Sequence, residues 1–109
     1  MIIKDVFRII EKRLAEGDPE KSYVAKLKKD GIEKILKKIN EETTELIVSS
    51  ISGGKEKITY EAVDLIFHTL VLLAYKEIGF DEIEKEFEKR FGISGLEEKK
   101  QRNQIKGEK

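Results

Sequence analysis

The sequence predicts an all-α fold, a helical bundle built around an antiparallel helix hairpin. Three observations carry that prediction. Apolar residues recur at steps of three and four along most of the chain, short Gly- and Pro-containing stretches cut the pattern into pieces of helix length, and no run of alternating β-branched residues is long enough for a sheet. There is no internal repeat of the solenoid kind.

The first segment places Ile2, Ile3, Val6, Phe7, Ile10 and Leu14 on one face, and "GDP", Gly17 to Pro19, ends it. A short second segment, "SYVAKLKKDG", has Ser22 as its N-cap and Gly31 as its stop. The third runs from about Ile32 to Ser52, with Ile32, Ile35, Leu36, Ile39, Thr43, Leu46, Ile47 and Ser50 on one stripe, and is closed by "SGG", Ser52 to Gly54. The fourth spans roughly Glu56 to Ile78 and is apolar around most of its circumference, as the central helix of a bundle is. Glu61, Asp64 and His68 within it argue against a membrane span. The short turn between the third and fourth segments makes them antiparallel neighbours. A fifth helix covers Phe80 to Phe91, opened by Asp81 with Glu84 three residues on, the capping-box spacing. The expected organisation is one domain over residues 1–96, followed over 97–109 by a charged tail that lacks an apolar period and is mobile by itself.

Composition narrows the function. A chain of 109 residues makes one domain with one core. Charged side chains form 40% of it, yet 22 basic residues balance 22 acidic ones, so the basic excess of a sequence-independent nucleic-acid binder is missing. The lack of cysteine removes disulfides, zinc-thiolate sites and thiol nucleophiles, and permits a reducing compartment. The start, "MIIKDVFRIIEKR", interrupts its apolar residues with charge, unlike a signal peptide. A cytoplasmic protein with neither nucleic-acid nor membrane partners is expected.

The chemistry lies in the acids. "NEETTELIVSS" sets Glu41, Glu42 and Glu45 in a stripe beside the apolar face of the third helix, with Glu42 nearest its margin. "YEAVDLIFH" puts Glu61, Asp64 and His68 on one face of the fourth, its only polar stripe. Antiparallel helices meeting along these stripes bring four or five carboxylates together. Two like charges about 4 Å apart repel by roughly 4 kcal/mol at an effective dielectric of 20, so either some acids hold protons or a cation is present. Carboxylate oxygens suit magnesium or manganese, and magnesium keeps open positions for water and substrate phosphates. Such a site polarises a phosphate chain and acidifies a water, whose proton a nearby Glu removes: the parts of a phosphoanhydride hydrolysis.

Each element also has a plainer reading. Glu41, Glu42 and Glu45 alone fit a solvated helix face, because Glu is a good helix former. Glu61 and Asp64 on an apolar helix need partners, and Lys57, one turn before Glu61, is one such partner. His68 fits a hydrogen-bonded core position, and one turn beyond Asp64 it also fits an orienting role behind the metal.

The spacing Glu41-Glu42-x-x-Glu45 followed by Glu61-x-x-Asp64 resembles the motif of the MazG-like superfamily of all-α nucleoside triphosphate pyrophosphohydrolases. The surrounding segments "SYVAKL" (22–27), "KILKKINEETTE" (34–45), "YEAVDLIFHTLVLL" (60–73) and "GISGLEEKKQR" (92–102) are similar to the phosphoribosyl-ATP pyrophosphohydrolase family, in order, from Ile3 to Arg102. The resemblance implies hydrolysis of phosphoribosyl-ATP to phosphoribosyl-AMP and pyrophosphate, the second step of histidine biosynthesis, with magnesium. It implies Glu42, Glu45, Glu61 and Asp64 as metal ligands, and Glu41 as a further ligand or the base acting on water. Lys26, Lys37 and Lys38 would meet the triphosphate or the ribosyl phosphates. It also implies a homodimer, or a dimer of dimers, of helical hairpins, with "SGLEEKKQR" reaching a neighbouring subunit, and a separate cyclohydrolase. The chain departs from the family's usual pattern at Asn40, commonly Gly, and at Phe67, commonly Tyr; neither is an acid of the motif. Two other readings remain: a housecleaning pyrophosphatase of the same superfamily, and a helical adaptor without catalysis.

Overall fold

The computed structural model describes residues 2–92, in which every regular element is a helix: α1 (Ile2–Glu16), α2 (Tyr23–Asp30), α3 (Ile32–Ser52), α4 (Lys55–Tyr75) and α5 (Phe80–Phe91). The expected tail over 97–109 and "SGLEEKKQR" lie outside the described residues. Two units are formed, the first ending at Glu77 with α1 to α4, the second starting at Ile78 with α5.

In the first unit α3 and α4, joined through Gly53 and Gly54, run against each other as the expected hairpin; α1 packs on α4, and α2 lies on α1 and α3. Phe7, Ile10 and Leu14 of α1, Val24, Ala25 and Leu27 of α2, Ile35 of α3, and Leu70 and Val71 of α4 form the core. Each large apolar side chain so buried contributes about 1.5 to 3 kcal/mol. On α3 the buried seam is Ile35, Glu42 and Ser49, spaced seven apart and hence on one face, while Leu36, Ile47 and Ser50 of the expected stripe are exposed. The cause is that α3 carries apolar residues on two faces, and only the one turned to α4 and α2 is covered within the unit. α4 is likewise only partly enclosed, since Tyr60, Val63 and Ile66 stand exposed. By length and composition α4 could cross a membrane. Glu61 and His68, though, are buried on it, an arrangement that suits helix packing and is costly in lipid.

Local chemistry sets the helix ends. The Ser22 hydroxyl accepts from the Ala25 amide at 3.2 Å, capping α2, and Lys28 Nζ donates to the Leu14 carbonyl at 2.7 Å, satisfying a terminal acceptor of α1. Gly31, between α2 and α3, has φ +97 and ψ 173, a conformation essentially reserved for glycine. α4 ends at Tyr75, three residues short of expectation, because Glu77 turns left-handed at φ +60 and its amide bonds back to Ala74. In the second unit, α5 is capped by Glu82, whose carboxylate accepts from the Gly79 amide at 2.8 Å; the expected pairing of Asp81 with Glu84 is displaced by two residues because the helix starts at Phe80.

Candidate metal centre

The hairpin brings Glu42 and Glu45 of α3 against Glu61 of α4, with one oxygen from each within 4.8 Å of the others. Glu42 is 5% exposed and Glu61 1%, while Glu45 stands at the open side. A buried carboxylate is costly unless its oxygens are bonded. Each buried acid has one oxygen engaged: Glu61 Oε1 is 2.8 Å from Lys57 Nζ, and Glu42 Oε1 is 3.4 Å from Lys38 Nζ, which also lies 3.5 Å from Glu41. The second oxygens, Glu42 Oε2 and Glu61 Oε2, are buried without any hydrogen-bond donor.

Those two orphaned oxygens test whether a metal fits. Two buried acceptors without donors, on acids that converge with the exposed Glu45 within coordination reach, fit a hard divalent cation. The carboxylates there outnumber the two ammonium groups set on them, Lys38 and Lys57, so the group keeps a net negative charge that favours a cation.

Titration reflects the same crowding. Contact with Glu61, reinforced by the charge of Glu42, pushes the Glu45 carboxyl above the usual carboxylate range. Glu61 is held below it, chiefly by the Lys57 ammonium. Burial raises the Tyr23 hydroxyl, against the lowering effect of Lys38 and with smaller raising contributions from Glu42, Asp64 and Glu41.

Asp64, half-buried one turn beyond Glu61, is outside the converging group. Its main-chain carbonyl accepts from His68 at 2.8 Å, and the other ring nitrogen of His68 is 2.8 Å from the Tyr23 hydroxyl. A carbonyl only accepts, so Nδ1 bears a hydrogen and donates it, and Nε2 shares a hydrogen bond with the Tyr23 hydroxyl. His68 is thus buried with both nitrogens used, and Phe67 meets its ring edge-on at 5.2 Å. Tyr23 completes a three-ring cluster, lying over Phe67 at 6.3 Å, and ties α2 to α4 beside the acids. Of the expected substrate lysines, Lys38 is engaged by Glu41 and Glu42, while Lys26 and Lys37 are exposed. Sequence reading did not single out Tyr23. Its partner is 45 positions away, and only the "SYVAKL" segment hinted at it.

Comparison with known proteins agrees with this geometry. The profile of the family described as Phosphoribosyl-ATP pyrophosphohydrolase matches residues 3–91. A phosphoribosyl-ATP pyrophosphatase of Geotalea daltonii is 49% identical over 94% of this chain and 95% of its own. One from Geobacter metallireducens is 46% identical over 93% and 92%, and one from Vesicomyosocius okutanii 48% identical over 88% and 90%. With its acids converging on the hairpin and this similarity along its length, the chain belongs to the phosphoribosyl-ATP pyrophosphohydrolase family.

Proposed function

We propose that the chain hydrolyses phosphoribosyl-ATP to phosphoribosyl-AMP and pyrophosphate, the second step of histidine biosynthesis, in the cytoplasm. The observation that carries the reading is the pair of buried, donorless oxygens on Glu42 and Glu61, facing Glu45, in a chain of this family. Glu42, Glu45 and Glu61 would hold Mg2+, with Mn2+ as a substitute, and the sequence motif adds Asp64 as a fourth ligand. When bound, the ion supplies charge neutralisation of the phosphate chain and a water of lowered pKa.

The protein's own groups do the rest. Glu41, exposed and 3.5 Å from Lys38, would take a proton from an attacking water. Lys38 bridges Glu41 and Glu42, while Lys26 and Lys37, both exposed, would reach the triphosphate or the ribosyl phosphate. Tyr23 and His68 fix α2, and with it Lys26 one turn on, relative to the acids. The exposed apolar face of the hairpin, Ile47, Val48 and Ile51 on α3 with Tyr60, Val63 and Ile66 on α4, supports a homodimer formed through these helices.

The test is pyrophosphate release by purified protein and Mg2+ from phosphoribosyl-ATP and, separately, from the common nucleoside triphosphates. Release from phosphoribosyl-ATP with at least a hundredfold preference is expected. Release from the common triphosphates alone would transfer the chain to the housecleaning reading, and none from any nucleotide would favour the adaptor.

A further inference from the structure

Lys57 stands out among the groups at the metal centre, because it lies where a cation is wanted yet is held loosely. Its ammonium is 2.8 Å from Glu61 Oε1, while its side chain is 61% exposed and the carboxylate beneath it 2% exposed. The same ammonium is 5.8 Å from the centre of the Tyr60 ring, a second seat for a positive charge that is itself exposed. Lys38 differs: its side chain is 25% exposed and it bridges two acids at once.

We propose that Lys57 is the resident counter-cation of the acidic centre, standing on Glu61 in the metal-free protein and giving up that contact, towards Tyr60, when a divalent ion binds to Glu42, Glu45 and Glu61. The inference rests on the metal-site reading above and adds an exchange to it. A divalent ion neutralises the buried acids by itself, so the Lys57 contact is worth more before the ion arrives than after. Whatever stabilises the metal-free state more than the bound state weakens binding by the same free energy, so Lys57 sets the affinity for the ion below what the acids alone would give. The mobility of an exposed lysine stem keeps the exchange inexpensive, as a buried arginine fork would not.

The experiment compares wild type, Lys57→Met and Lys57→Arg by calorimetric titration with Mg2+ alone and by thermal melting with and without saturating Mg2+. Lys57→Met is expected to bind Mg2+ about fivefold more tightly, to melt lower than wild type without metal, and to melt close to wild type with it. Lys57→Arg keeps the charge and the wild-type dissociation constant. Should Lys57→Met not fold without metal, Lys57→Gln takes its place and must show the same tightening. Unchanged or weaker Mg2+ binding by the neutral variants, or equal loss of melting temperature with and without metal, overturns the exchange while leaving the metal site intact. If wild type itself binds no Mg2+, the metal-site reading fails and the exchange with it.

Discussion

At the level of single residues, the centre is a balance between ionised acids and a few lysines, and Glu45 is the acid most strained by it. Its carboxyl is pushed up by Glu61 and then by Glu42, so the folded, metal-free protein holds that proton more tightly than the unfolded chain does. Below the ordinary carboxylate value both states are protonated and Glu45 contributes nothing. As pH rises through that value towards the raised one, the unfolded state releases its proton first and stability falls. Glu61 has the opposite sign, being held down by Lys57, and supplies stability that is lost as pH falls through its lowered value. Glu45→Gln should therefore melt above wild type at neutral pH without metal, converge with it in acid, and lose about a hundredfold in turnover with metal. Melting curves across pH, beside a pyrophosphate assay, check both halves; a fully active Glu45→Gln removes it from the ligand set. The motif spacing made Glu42, Glu45 and Glu61 legible as a cluster, because a helical period and an antiparallel hairpin are enough to align them. Which oxygen each acid spends on a lysine was not legible, and nor was the Tyr23–His68 pair, because both depend on side-chain directions across helices.

At the level of elements, helix identity followed from the apolar period, and the bounds of α3 came out as expected because Gly31 and "SGG" punctuate both ends. Boundaries failed where punctuation is absent. No glycine or proline marks the end of α4; a glutamate at φ +60 does, and this left-handed position costs a residue with a Cβ about 1 kcal/mol. Glu77→Gly should raise stability by about 0.5 to 1 kcal/mol, less the entropy glycine adds to the unfolded chain, as read by urea denaturation. A decrease would mean that the Glu77 side chain does more than its exposed position shows. The stripe on α3 was met in part, with Ile35 buried and Ile32, Ile39, Thr43 and Leu46 half-buried but Leu36, Ile47 and Ser50 exposed, for a related reason. A helix with two apolar faces fits two stripes equally well, and only the packing of α2 and α4 selects the seam through Ile35, Glu42 and Ser49.

At the level of the molecule, the surface that the first unit leaves uncovered carries the argument for assembly. Ile51 is 83% exposed and Tyr60 65%, on a hairpin that buries Ile35, Leu70 and Val71 elsewhere on its surface. Such side chains are what the proposed homodimer would cover. A charge on this face, Val63→Glu, should halve the mass seen by sedimentation equilibrium while leaving the helical circular dichroism of the chain unchanged. A wild-type monomer would contradict the assembly outright. The all-α class was readable because every segment shared one period, whereas the dimer came only from resemblance and stays a proposal that the exposed face supports. On the function proposed above, the acids of the hairpin hold a divalent ion for cleavage of a phosphoanhydride. Pyrophosphate release from phosphoribosyl-ATP, measured for wild type and Glu61→Gln across a Mg2+ titration, addresses it most directly. The prediction is turnover by wild type that vanishes with chelator and returns with Mg2+, and a loss of at least about a hundredfold in folded Glu61→Gln; turnover indifferent to both Mg2+ and Glu61 would contradict it.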